Sequence, residues 1–426
     1  MPKIKDITCH KVLNSRSEWT IETRVELDDG AVGTQTVPDG ASTGENEALH
    51  LEAQKAAAVV NDPLKDLLVS KNPFNQLEID TLMIDMDGTP NKRVLGGNSI
   101  LSVSLAVSNA AAKSLNLQLF EYLHVLYKNN SVFKPAYSKM GSINFPTPVF
   151  NILNGGKHAD NDLSFQEFMV IPAKTTPYPK QLEMGVFVYN SLHKLLVSQG
   201  YESGVGDEGG FAPQGFTTKK ALTTIKQAVE EVRVDGEKNN RLVLGKDLFL
   251  GMDVAAESFH VGDRYEIKEE SLKLDHAQLS SYYGDLLQQY PIIYLEDPFY
   301  ENDIEGWEHF YQNYKQKVMI VADDLVVTNA KYLKAAIKKN LASAVIIKPN
   351  QVGTVSETLD FIRLAKSADM STIVSHRSGD TPEDTFISDL AVAVEADFIK
   401  SGSPARGERV AKYNRLLDIF DNFFGS

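Results

Sequence analysis

Apolar residues along this chain fall into two rhythms, short continuous runs and helical stripes. The clearest run is Ala344–Ile347, mostly β-branched, as expected of a parallel strand buried on both faces. Lys348 and Pro349 follow at once. Proline holds the residue before it extended and cannot continue a strand ladder, so the lysine is fixed at the lip of the run. Taken alone, such a lysine reads as one that snorkels past a loop. Other runs end the same way, however. Residues 248–252 end in Asp253, 292–295 in Glu296-Asp297, 318–322 in Asp323-Asp324, 372–374 in Ser375-His376-Arg377, and 398–399 in Lys400. From Glu296 onward these ends are spaced by 27, 25, 28 and 24 residues, the stride of a strand, a helix and two short loops. Residues 165–170 form a further run, opening with Gln166-Glu167. Between the runs, Met184, Val188, Leu192, Leu195 and Leu196 share one helical face, as do Leu222, Ile225, Val229 and Val232. Polar groups at one end of successive strands are what a β/α barrel requires of its catalytic face. An open doubly wound sheet would carry a glycine-rich first turn, and none is found.

The first 135 residues have another pattern. Ile4–Leu13 and Trp19–Leu27 read as strands, with Asp28-Asp29-Gly30 turning into a third over 32–37. A loop of small residues leads to an acidic, alanine-rich stretch expected to be helical from Glu45. Residues 100–112 are apolar or small almost all round, which predicts a buried helix. This segment is expected to be an α+β domain of a three-stranded antiparallel sheet plus helices. The polar stretch 129–142 sets the expected division at 1–135 and 136–426.

Composition narrows the function. Of 426 residues, 42% are hydrophobic and 23% charged, ordinary for a globular enzyme. The 43 basic and 57 acidic residues give −14, which argues against a general nucleic-acid or membrane-surface binder. The lone Cys9 excludes an intramolecular disulfide and a cysteine-built metal site, and suits a reducing cytoplasm. No stretch is long and apolar enough to span a bilayer, and residues 1–14 lack the apolar core of an export signal.

Asp253, Glu296 and Asp323 then lie on three successive strand ends. Grouped carboxylates repel unless a cation sits among them, and an oxygen-only donor set points to a hard ion such as Mg2+. Lys348 and Lys400 share that rim. Nearby cations would depress a lysine's pKa and let it act as a general base. Glu208 sits in the glycine-rich loop Gly206-Asp-Glu-Gly-Gly210, and Arg377-Ser378 offers a guanidinium and a hydroxyl suited to a phosphate oxygen. A base, an opposing acid, divalent ions and an anion clamp together suggest proton abstraction next to a carboxylate.

Ten motifs spread along the chain then carry a resemblance. They include Gly40-Ala-Ser-Thr-Gly44, Asn154-Gly-Gly-Lys-His-Ala-Asp160, Gln166-Glu-Phe-Met169, Val205-Gly-Asp-Glu-Gly-Gly-Phe-Ala-Pro213 and Gly251-Met-Asp-Val-Ala-Ala256. Leu295-Glu-Asp-Pro298, Ala322-Asp-Asp-Leu325, Lys348-Pro-Asn-Gln351, Ser375-His-Arg-Ser-Gly379 and Arg409-Val-Ala-Lys-Tyr-Asn414 complete the set. Over essentially its whole length the chain resembles the enolase family. The resemblance implies a small α+β domain capping a modified eight-stranded β/α barrel, assembled as a dimer or octamer in the cytoplasm. It implies a glycolytic lyase that dehydrates 2-phosphoglycerate to phosphoenolpyruvate with two Mg2+ per site. Asp253, Glu296 and Asp323 would hold one ion, and Ser42 would contact the second. Lys348 would take the C2 proton, and Glu208, assisted by Glu167, would protonate the leaving hydroxyl. Arg377 and Ser378 would hold the phosphate and Lys400 the carboxylate, with His158, Gln166 and His376 lining the pocket. Ser42 and His158 rest on the resemblance alone.

The chain departs from the family at Asp39, where serine is usual, at Ser17-Glu18-Trp19, where glycine, asparagine and proline are usual, and near Pro382. Rival readings are a sugar-acid dehydratase or racemase of the same superfamily, and a surface-binding protein that keeps the fold.

Overall fold

The computed structural model describes residues 1–40, 46–129, 144–202, 204–233 and 241–424. Strands β1 (Ile4–Leu13), β2 (Trp19–Leu27) and β3 (Val32–Thr36) form the expected antiparallel sheet in sequential order. The helix Gly97–Ser114 lies against it, buried on nearly every side. One glycine makes that contact possible: a Cβ on Gly33 would lie 2.1 Å from the Ala106 carbonyl oxygen.

The remainder closes into a barrel. Its strands are β4 (Thr147–Asn154), β5 (Glu167–Pro172) and β6 (Leu248–Asp253). A satellite sheet of β7 (His260–Val261), β8 (Arg264–Ile267) and β9 (Leu272–Leu274) follows. The barrel then continues with β10 (Ile292–Glu296), β11 (Met319–Ala322), β12 (Ala344–Ile347), β13 (Ser371–Ser375) and β14 (Phe398–Lys400). Around the barrel the order is β10-β11-β12-β13-β14-β4-β5-β6. Neighbours are parallel except at β5, which runs antiparallel to both β4 and β6. That reversal explains why the run 165–170 opens, rather than ends, with its polar residues: Glu167 still reaches the same rim.

Alternation along each strand sorts its residues between two apolar clusters. Ala344 and Ile346 join the interior cluster with Val321, Ile373 and Phe398, while Val345 and Ile347 join the outer layer beneath the helices. Burial on both faces is why these strands read as unbroken apolar runs. The period of two then dictates that Lys348, Lys400, Glu296, Asp323 and Glu167, each two residues beyond an interior position, face the barrel axis at the rim.

One expectation about local structure is corrected. Residues 46–52 are not helical; the helix begins at Ala53, capped by the Glu52 carboxylate on the N–H groups of Gln54 and Lys55. The preceding residues serve the interface between domains instead, with the Ala48 N–H donating to the Gln351 carbonyl. The expected boundary at 135/136 falls within 130–143, outside the described residues, as does the loop 41–45. Among the described residues no helix is long and apolar enough to cross a membrane.

The small domain is tied to the barrel through buried polar contacts. Gln35 Nε2 donates to Asp384 Oδ1 at 2.8 Å, and the hydroxyls of Thr36 and Thr381 meet at 2.8 Å. The helix Val355–Ser367 of the barrel is capped from across the interface: the Val355 N–H donates to Ser104 Oγ and the Ser356 N–H to Asp80 Oδ2. Asp80 is fully buried and also accepts from Gln76 Nε2. Removing it would leave the Ser356 N–H without its acceptor, while Gln76 Nε2 keeps Ser104, at a cost of about 1–3 kcal/mol. Asp80→Ala is therefore expected to lower the unfolding free energy read from urea titration by that amount, whereas Leu77→Ala, on the exposed side of Asp80's own helix Gln76–Asp87, should change it by less than about 0.5 kcal/mol. Equal effects would contradict the capping role.

Candidate functional site

A cavity opens at the barrel rim, lined by His158, Gln166, Glu167, Glu208, Asp253, Asp323, Lys348, His376, Arg377, Ser378 and Lys400. Every site residue expected from the sequence is therefore brought together there, save two. Glu296 lies just beneath, within reach of the Lys400 ammonium, and Ser42 lies outside the described residues.

Charge is crowded on the cavity floor. Lys400 Nζ lies 3.0 Å from Asp253 Oδ2, 2.9 Å from Glu296 Oε2 and 3.2 Å from Glu167 Oε2. Burial opposes its charge, yet Asp253, Glu167 and Glu296 hold it protonated well above the ordinary lysine range. Lys348 pairs with Asp323 Oδ2, whose other oxygen accepts from Gln351 Nε2 at 2.9 Å. The expectation of a lysine made neutral by neighbouring cations is not met in this arrangement. Although burial disfavours the ammonium, Asp323 raises the Lys348 pKa. Carboxyl groups show the reverse strain. Burial first, and then Asp253, push Glu296 up to about 8, while burial and Asp323 push Asp324 up to about 7.

These side chains fit a hard cation. Asp253, Asp297, Asp323 and Asp324 line the cavity together with Glu167 and Glu208, and all the floor donors are oxygens. Asp297, Asp323 and Asp324 place carboxylate oxygens within 4.8 Å of one another. Asp297, however, spends its oxygens inside the fold, accepting the Asp323 N–H at 2.9 Å and the Asp324 N–H at 3.0 Å. Asp253, Glu296 and Asp323 instead each turn an oxygen to a lysine ammonium, and Asp253 Oδ1 also accepts the Ala255 N–H at 3.1 Å. The ammonium groups of Lys400 and Lys348 occupy the positions where positive charge is needed.

On the other wall, His158 Nδ1 and oxygens of Glu167 and Glu208 lie within 4.8 Å of one another. Burial, then the Glu208 charge, raises the Glu167 pKa well above the usual carboxylate range. Glu208 moves the opposite way, since His376 and His158 outweigh its burial. Its Oε2 accepts from Asn151 Nδ2 at 3.0 Å, and its Oε1 meets His376 Nε2 at 2.8 Å. His376 Nδ1 lies 3.0 Å from the Lys400 carbonyl, which can only accept, so Nδ1 carries hydrogen. A further proton must therefore lie on the Glu208–His376 contact, on one partner or the other.

The anion clamp includes a residue that the sequence did not reveal. Arg377 Nη1 donates to Glu47 Oε2 at 2.6 Å, both fully enclosed, so the small domain contributes directly to the site. A Cβ on Gly40 would lie 2.0 Å from Arg377 Nη2, so only glycine lets that backbone pass over the guanidinium. Arg409 donates to the carbonyls of Arg377 and Asp207, at 3.3 and 3.4 Å, and thereby ties the two loops that carry Arg377 and Glu208. Asp39, one of the departures from the family, is paired with His50 Nδ1 at 2.6 Å. Ser17, where the family has glycine, takes φ 61°.

Comparison with known families matches two descriptions in succession: "Enolase, N-terminal domain" over residues 4–123 and "Enolase, C-terminal TIM barrel domain" over residues 142–425.

The crowded floor makes stability depend on pH. Glu296 and Asp324 sit above their ordinary values, so the folded chain keeps protons that the unfolded chain releases. That stabilisation is full below the ordinary carboxylate range and is lost progressively as pH rises from there to about 7 to 8. In chelator, the melting temperature is expected to fall across this window, and Glu296→Gln should flatten the fall. A divalent cation at about 100 times its Kd should add about 2.7 kcal/mol. A melting temperature indifferent to pH, cation and substitution alike would contradict this electrostatic picture.

Proposed function

The chain belongs to the enolase family, and we propose that it dehydrates 2-phosphoglycerate to phosphoenolpyruvate and water. One observation carries the reading. Lys348 follows β12 and Glu167 opens β5, and these strands lie four apart whichever way the eight-stranded barrel is counted. Lysine and the Glu167–Glu208 pair therefore face each other across the mouth, as removal of a proton from one carbon and hydroxide from the next requires.

Substrate phosphate would be held by Arg377 and Ser378, and the carboxylate by Lys400. His158, Gln166 and His376 would close the walls around the carbon chain. Lys348 Nζ, once neutral, takes the proton from C2 and becomes an ammonium. The electron pair passes into the adjoining carboxylate. Its return expels the C3 hydroxyl, which leaves as water with a proton from Glu208. Glu167 and His376 keep an acidic proton within reach of that group. We assign Mg2+, two ions per site, with Asp253, Glu296 and Asp323 holding one and Ser42 touching the other. Bound there, this cation would compensate the carboxylate charge that now keeps Lys348 protonated and would stabilise the charge gathering on the substrate carboxylate.

The Arg377–Ser378 clamp favours a phosphorylated substrate over the sugar acids of related dehydratases. The activity would serve glycolysis and gluconeogenesis in a cytoplasmic homo-oligomer, a dimer or octamer; these last points rest on family resemblance.

The test is ultraviolet absorbance of phosphoenolpyruvate appearing from 2-phosphoglycerate, with Mg2+ and with excess chelator. Turnover is expected only with Mg2+. Lys348→Ala and Glu208→Gln should each lower kcat by about 10²–10⁴-fold. Full turnover in chelator, or in either variant, would overturn the assignment.

A further inference from the structure

Beneath the rim, the interior of β10 departs from the pattern of the other strands. Tyr294 and Glu296 both face the barrel axis, two residues apart, with Leu295 turned outward. Tyr294 is fully buried in the interior cluster, whose other members, among them Val149, Met169, Ile171 and Val321, are all apolar. A phenol is a costly choice for such a place unless its hydroxyl is bonded. Tyr294 Oη donates to Glu296 Oε2 at 2.5 Å. Neighbouring β6 passes close by at Gly251, where a Cβ would lie 3.1 Å from Ile171 Cδ1 and 3.2 Å from the Tyr294 Cβ.

The Glu296 carboxylate is thus gripped on two sides. Tyr294 holds Oε2 from below, and Lys400 Nζ approaches both oxygens at 2.9 and 3.0 Å. Without the phenol, Lys400 would be left as the donor to both oxygens, and the carboxylate could turn about its last torsion. Carboxylates that ligate metals depend on such partners for their orientation.

We propose that Tyr294 is a positioning residue for the divalent cation: its phenol fixes which way the Glu296 carboxylate faces and so sets the affinity of the floor for the ion. The inference rests on the reading that Glu296 is a ligand. It assigns no chemistry to Tyr294 itself, which touches neither substrate nor the reacting atoms.

The experiment is calorimetric titration of the full chain with Mg2+, without substrate, comparing wild type with Tyr294→Phe. Melting in chelator is recorded alongside. The phenyl ring keeps the packing and removes only the donor. Mg2+ affinity is expected to weaken by about 10- to 100-fold. A merely structural role would shift the melting temperature in chelator and leave the Mg2+ Kd unchanged, which would overturn the inference while sparing the proposed function. No Mg2+ binding by the wild type would overturn the metal reading and this inference with it. Should the Phe variant fail to fold, Tyr294→Met fills the same interior position without a hydroxyl and serves the same titration.

Discussion

Lys400 sits with its ammonium 2.9 to 3.2 Å from carboxylates of Glu167, Asp253 and Glu296, all enclosed at the top of the barrel. Charges removed from water are tolerated only when each finds an opposite partner, and here the acids outnumber the lysines. The imbalance organises the site. It holds both lysines protonated, pushes Glu296 and Asp324 toward their neutral forms, and makes the floor a receptor for further positive charge. A divalent ion on the acids would release both lysines from their present partners. On the proposed mechanism, cation binding and the readiness of Lys348 to act as a base would be two aspects of one electrostatic balance.

That balance is built from strands that are themselves plain. Alternation between an inner and an outer apolar cluster fixes which residue of each strand faces the axis, and the rim residues inherit that direction. The layer below is not inert, because Tyr294 reaches up to Glu296 from within the hydrocarbon interior. Outside the barrel, Arg409 and the Glu47–Arg377 pair connect the rim loops to one another and to the small domain. The site is therefore assembled from both domains, although its chemistry lies on one.

Much of this was legible in the sequence because β12 and its fellows are buried on both faces. Continuous apolar runs ending in charged residues announced Lys348, Lys400, Asp253, Glu296 and Asp323 together. The direction of a strand leaves no such mark, so the antiparallel course of β5 was not read, although its polar opening was. Strand β4 was missed as a strand, and with it Asn151, the amide that donates to Glu208. Glu47 was hidden in an acidic stretch whose composition favours helix but whose side chains are taken up by the barrel interface. The brace formed by Asp297 has no local signal, since its partners are backbone N–H groups 26 and 27 residues away.

The central claim is that Lys348 and the Glu208 pair act on opposite sides of one substrate in separable steps. Deuterium entering C2 of 2-phosphoglycerate in heavy water with Mg2+, followed by proton NMR, tests it most directly. Glu208→Gln is expected to exchange the C2 proton while forming no phosphoenolpyruvate, and Lys348→Ala to do neither. Exchange that survives in Lys348→Ala, or that vanishes in a folded, Mg2+-binding Glu208→Gln, would contradict the account.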